Sequence, residues 1–247
     1  MRTENTTVPI AAFTAVCLAI AATPALADTD QPAPAATSSI ARMARLPVAG
    51  LQVVETTDGE LLFLSDNGRY ALRGPALDLW HGVRLVSFEE TLRLARRIDL
   101  GRLKLDVGDL GAIDLGEGPE VVVFVDPLCP HCAALYAELQ TLLGTYRFRL
   151  VPIPVLGEPS QRAVLALACL SGSDPGKARE ALLANQSAGL LAPSADCGQG
   201  TAQRALIAAQ ILGIRGTPFL IAPDGRLRQG RPEDLAAWLR GEGEGAP

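Results

Sequence analysis

Apolar and polar positions change their period twice along this 247-residue chain. Between residues 46 and 79 they alternate in short runs at 51–55, 61–65 and 70–73, interrupted by Asp58-Gly59 and by Asp66-Asn67-Gly68. Period two with turn residues between the runs predicts a small antiparallel meander. A sheet of that size has a meagre core and an open edge, so pairing with a second copy would stabilise it. A homodimer is therefore the expected assembly.

The period then lengthens. Ser87 followed by Glu90 has the pattern of a capping box, and Leu92, Leu94, Ala95 and Ile98 keep helical spacing toward Gly101. This predicts a helix linking two halves of the chain. Beyond it, residues 120–125 are nearly all apolar, as in a strand buried on both faces. Leu135, Leu139 and Leu142 then place a helix over 132–143. Residues 147–152 read as a second strand, and 160–170, 175–185 and 201–212 as three helices in succession. Strand patterns return at 219–222 and 227–229, flanking the turn Pro223-Asp224-Gly225-Arg226, and 232–239 closes the chain as a helix with Pro232 near its start.

The N-terminus points to export. Arg2 precedes an apolar stretch at 8–22, and Ala25-Leu26-Ala27 offers small residues for cleavage before Asp28. About 15 apolar residues fall short of the roughly 20 that span a bilayer, so residues 1–27 are expected to be a cleaved signal peptide that takes Cys17 with it. Residues 28–39 are rich in Pro, Ala, Ser and Thr and lack a hydrophobic period, which predicts a flexible leader running to about residue 45. The expected organisation is then a small β domain at 46–86, a linker helix at 87–104 and a larger α/β domain at 105–247. Composition adds little: 48% hydrophobic and 20% charged residues are ordinary, and a net charge of −5 is too mild to suggest nucleic acid or an anionic membrane as a partner.

The mature chain keeps four cysteines, an even number in an exported protein. Cys129 follows the buried strand and the turn Asp126-Pro127-Leu128, and Pro130 suits a first helical position because it has no N–H to leave unpaired. Cys129 thus stands at a helix N-terminus, where the backbone dipole favours the thiolate, the species that attacks a disulfide. Cys132, three residues on, lies over the same face but deeper and could resolve a mixed disulfide formed at Cys129. His131 between them could direct a hydrogen bond or positive charge toward the Cys129 sulfur, or be a plain surface residue. Competing uses of the pair are weaker. A structural zinc site needs about four ligands and no second CxxC is present, haem attachment needs His where Ala133 stands, and so short a disulfide loop would restrain the unfolded chain little. Cys169 and Cys197 are separated by a long segment and read as a structural staple, with a second redox pair as the other reading.

Three segments together carry a family resemblance: Asp126-Pro127-Leu128-Cys129-Pro130-His131-Cys132, Gly213-Ile214-Arg215-Gly216-Thr217-Pro218, and the pair Cys169/Cys197. They resemble the DsbC/DsbG family of periplasmic disulfide isomerases, and residues 47–50 through 73–78, with the hairpin Asp66-Asn67-Gly68-Arg69-Tyr70, resemble that family's N-terminal dimerisation domain. The resemblance implies an α+β chain with a thioredoxin-like α/β catalytic domain carrying an inserted helical subdomain, and a V-shaped homodimer. It also implies Cys129 as nucleophile, Cys132 as resolving thiol, and Thr217 beside a cis-Pro218 as the substrate-binding backbone. Expected partners are exported proteins with non-native disulfides and a membrane thiol reductant of the periplasm; no organic cofactor or metal is implied. One departure bears on direction: Pro130-His131 is similar to the dipeptide of the DsbA oxidases, which donate a disulfide, whereas an isomerase must rest reduced. A dimeric holdase chaperone is the reading from a different class.

Overall fold

A computed structural model describes residues 39–47, 50–191, 194 and 196–242. The expected signal peptide and residues 28–38 of the expected leader lie outside the described residues. Strands β1 (Ile40–Arg45), β2 (Leu51–Thr56), β3 (Leu61–Ser65) and β4 (Ala71–Arg73) form an antiparallel sheet in that order. β1 corrects the expectation of a leader reaching residue 45. Five of its six residues are exposed, so side-chain alternation gives no signal there, and the strand is held instead by backbone pairing to β2 with Met43 opposite Val54. Arg42 anchors it, donating from Nε to Glu55 at 2.7 Å, pairing with Glu89, and lying 4.7 Å from the Phe88 ring centroid. Val53, Phe63, Leu46 and Phe88 supply the small core beneath. A short hairpin of β5 (Ala76–Asp78) and β6 (Val83–Leu85) follows, unannounced by the alternation.

Helix α1 (Phe88–Ala95) begins as expected, with the Glu90 N–H donating to Ser87 Oγ at 3.2 Å. It stops earlier than the expected 87–104 linker helix. The reason is a change of hydrogen-bond partner: the Arg96 carbonyl accepts from the Leu227 N–H at 2.9 Å, and the Ile98 N–H donates to the Gly225 carbonyl at 2.8 Å. The chain thus leaves the helix to bridge a distant turn. Gly225 has φ +82°, and a Cβ there would come within 2.4 Å of the Ile98 oxygen, so this close backbone approach requires glycine.

The second sheet is mixed. β7 (Ile113–Leu115), β8 (Glu120–Val125), β9 (Arg147–Pro152), β10 (Phe219–Ile221) and β11 (Leu227–Gln229) lie in the order β11-β10-β8-β9-β7. β8 and β9 are parallel, joined through helix α2 (Pro130–Gln140), and the other pairs are antiparallel. Successive side chains of β8 point to opposite faces: Val121, Val123 and Val125 join one core, Val122 and Phe124 the other. That division explains a strand with almost no polar residue. Helices α3 (Glu158–Ser173), α4 (Pro175–Leu183) and α5 (Gln199–Ile211) are inserted between β9 and β10, and α6 (Leu235–Leu239) closes the chain. The inserted helices do not build a core of their own. Leu167 and Leu182 enter the core that holds α2, while Ala205, Ala208 and Ala209 enter the opposite one.

Candidate active site

The end of β8 delivers the chain to Asp126, and the turn to α2 is set by that residue twice. The Leu128 N–H donates to Asp126 Oδ1 at 2.8 Å and the Cys129 N–H donates to the Asp126 carbonyl at 3.0 Å, the self-capping turn that aspartate favours. Cys129 occupies the N-cap of α2 with extended backbone, and Pro130 follows at the first helical turn. Cys132, Leu135, Tyr136 and Leu139 form the buried stripe of this helix at the spacing of one helical face.

Both cysteines of the pair carry free thiols. Cys129 keeps 7% of its surface exposed and Cys132 none, so the outer sulfur is the one an incoming molecule can reach. Burial pushes the Cys132 thiol up to about 12, a rise reinforced by Cys129 and opposed by hydrogen bonding at the Asp126 backbone and by the Thr217 hydroxyl. A buried thiol resists ionisation because its anion cannot be solvated. His131 is exposed on the first turn of the helix.

Thr217 and Pro218 precede β10, and the peptide bond between them is cis. The Cys129 thiol donates to the Thr217 carbonyl oxygen at 3.5 Å. Pairing of β10 with β8, Phe219 opposite Phe124, brings this segment to the cysteine turn. The fold therefore gathers Cys129, Cys132, Thr217 and Pro218 at one place, with His131 at its rim. Cys169 and Cys197 lie apart from them, bonded to each other across 28 positions with Cα atoms 5.2 Å apart, and tie α3 to the segment before α5.

Two residues given no role in the sequence reading belong to the site. The fully buried Asp126 carboxylate also accepts from the Val155 and Leu156 N–H groups at 2.8 and 2.9 Å and from Ser160 Oγ at 2.7 Å. One side chain thereby clamps the cysteine turn to the loop between β9 and α3. Tyr136 lies one helical turn beyond Cys132, 1% exposed. Its position four residues after a candidate resolving cysteine was a usable signal; the partners of Asp126 across the fold were not, since Val155, Leu156 and Ser160 lie 29 to 34 positions away.

No family model matches the sequence, and no curated protein does. Solved structures do. The chain is similar to the thiol-disulfide exchange protein alpha-DsbA2 from Wolbachia pipientis, at 20% identity over 57% of this chain and 91% of that one, with a TM-score of 0.48. It is similar to a periplasmic thioredoxin-like protein from Salmonella enterica serovar Typhimurium, at 24% identity over 53% and 90%, TM-score 0.46. A third is a thioredoxin-like oxidoreductase from Silicibacter pomeroyi, at 28% identity over 53% and 91%, TM-score 0.43. The narrower resemblance to the DsbC/DsbG family rests on the sequence motifs alone.

Proposed function

We propose that this protein is an exported thiol-disulfide oxidoreductase of the periplasm, acting as a disulfide isomerase and reductase on mispaired exported proteins. Cys129 attacks a substrate disulfide; one substrate sulfur becomes bonded to Cys129 and the other leaves as thiolate with the electron pair. The mixed disulfide then has two fates. A second substrate thiolate displaces Cys129, which completes an isomerisation, or Cys132 displaces the substrate and leaves a Cys129–Cys132 disulfide, which completes a reduction and requires a thiol reductant to recharge the pair.

The observation that carries this reading is the graded burial of the two thiols at the start of α2, with the outer one against the Thr217 carbonyl. An extended substrate segment can pair with that backbone while its sulfur meets Cys129. Pro130-His131 favours a second reading, a thiol oxidase that donates its disulfide, with His131 stabilising the reduced form. The assembly proposed is a homodimer through the first sheet, whose edge strand β4 is exposed at all three residues and whose neighbourhood leaves Tyr70, Leu72, Leu77 and Leu79 more than half exposed.

The test is recovery of activity from a protein with scrambled disulfides. The wild type is expected to restore activity, and Cys129→Ala to lose this entirely; full activity in Cys129→Ala would defeat the enzyme reading and leave the chaperone. Poor rescue by the wild type together with a strongly oxidising reduction potential would assign the oxidase direction instead.

A further inference from the structure

The resolving step poses a problem that the two cysteines do not solve. Cys132 must become anionic to displace substrate from Cys129, yet it is fully buried. The nearby carboxylate offers no free oxygen: Asp126 Oδ1 accepts from Leu128 and Ser160, and Oδ2 from Val155 and Leu156. The Asp126 backbone and the Thr217 hydroxyl favour the Cys132 anion, but burial outweighs them, and a buried anion short of donors is costly.

Tyr136 stands four residues after Cys132 on the same buried face of α2, and long side chains on a helix lean back toward the preceding turn. Its ring belongs to the core that contains both cysteines. Its hydroxyl is buried and has no hydrogen-bond partner among the described residues. Burial, with the charges of Cys132, Cys129 and Asp126 reaching the ring, pushes the phenol up, so it keeps its proton. A protonated, unpaired donor is what a transient thiolate needs, and buried hydroxyls are rarely left idle.

We propose that the Tyr136 hydroxyl donates a hydrogen bond to the Cys132 sulfur as that sulfur turns anionic, and so positions and stabilises it for attack on the mixed disulfide at Cys129. The inference rests on the exchange chemistry proposed above. The Cys132 sulfur bonds to Cys129, the bond from Cys129 to the substrate sulfur breaks, and the substrate leaves with the electron pair. The proton lost by Cys132 ends on the departing thiolate, while Tyr136 stays protonated throughout.

Glutathione disulfide separates the two steps. Reduced full-length protein is mixed with it, quenched in acid and analysed by mass, which resolves free thiol, Cys129–glutathione adduct and closed Cys129–Cys132 disulfide. In Tyr136→Phe the first step is expected to stay within about twofold of wild type, while closure slows by about tenfold or more and the adduct accumulates, the scale of a hydrogen bond to a charged group. The pH at which closure accelerates should also rise in this variant. Thermal stability should be unchanged, because the hydroxyl removed has no partner among the described residues. Site-specific 3-fluorotyrosine at position 136, a stronger donor, should instead hasten closure. Unchanged closure in folded Tyr136→Phe, or equal slowing of both steps, overturns the proposal. A wild type that does not react with glutathione disulfide at all defeats the exchange reading itself, and the inference with it.

Discussion

The Cys129 sulfur lies 3.5 Å from the Thr217 carbonyl oxygen although 88 positions separate the two residues. The contact exists because β10 runs antiparallel to β8, so the start of β10 lies beside the end of β8, where the chain turns into α2. It fixes one sulfur beside the Thr217 backbone and leaves the other fully buried.

Cys132 links the site to stability. Its thiol is raised from an ordinary value near 9 to about 12 by burial, so between those limits the unfolded chain holds fewer protons than the folded one. The sign follows: the contribution is intact below about pH 9 and is lost as pH rises, by up to about 1.4 kcal/mol per pH unit. Urea titrations of reduced wild type and Cys132→Ser from pH 7 to 10.5 check this. The stability difference between them should be flat below pH 9 and shrink above it.

Asp126 is expected to be a point of structural failure. Asp126→Ala leaves three backbone N–H groups and the Ser160 hydroxyl without the acceptor they share, and should cost at least about 3 kcal/mol in chemical denaturation. Ser160→Ala, which removes one of the four bonds, should cost about 1–2 kcal/mol. Equal costs would mean that the carboxylate is not the centre of the clamp.

The Cys169–Cys197 bond should matter for stability and not for exchange. Closing 28 positions of chain corresponds to about 3.5 kcal/mol on the chain-entropy estimate. The double variant Cys169→Ser/Cys197→Ser should lose that much in denaturation while its Cys129 reacts with glutathione disulfide at the wild-type rate. Loss of that reaction in a variant shown to be folded would revive the reading of a second redox pair.

The exposed β4 edge supports a concrete assembly prediction. Leu72, 57% exposed in the middle of that strand, should lie in the contact between copies. Light scattering is expected to give twice the chain mass for the wild type, and Leu72→Asp to shift the mass toward one chain with disulfide exchange at Cys129 preserved. A wild type of single-chain mass at micromolar concentration would remove the dimer.

Much of this protein was legible in its sequence, and the reason is local. The strand at 120–125, the strand at 147–152 and the helix cap at Ser87 depend on neighbours within a few positions, so periodicity and capping residues declare them. The placement of Cys129 and Cys132 was visible for the same reason, since three residues at a helix start put two sulfurs on one face. What tertiary structure alone decided are relationships with no period. β1 is a strand because β2 offers backbone partners, α1 ends where a turn more than 120 positions later takes over its hydrogen bonds, and Asp126 is a clamp because of a loop beyond β9. Hydrogen bonds between distant segments leave no pattern in either segment, so they become readable only once packing has brought the two together.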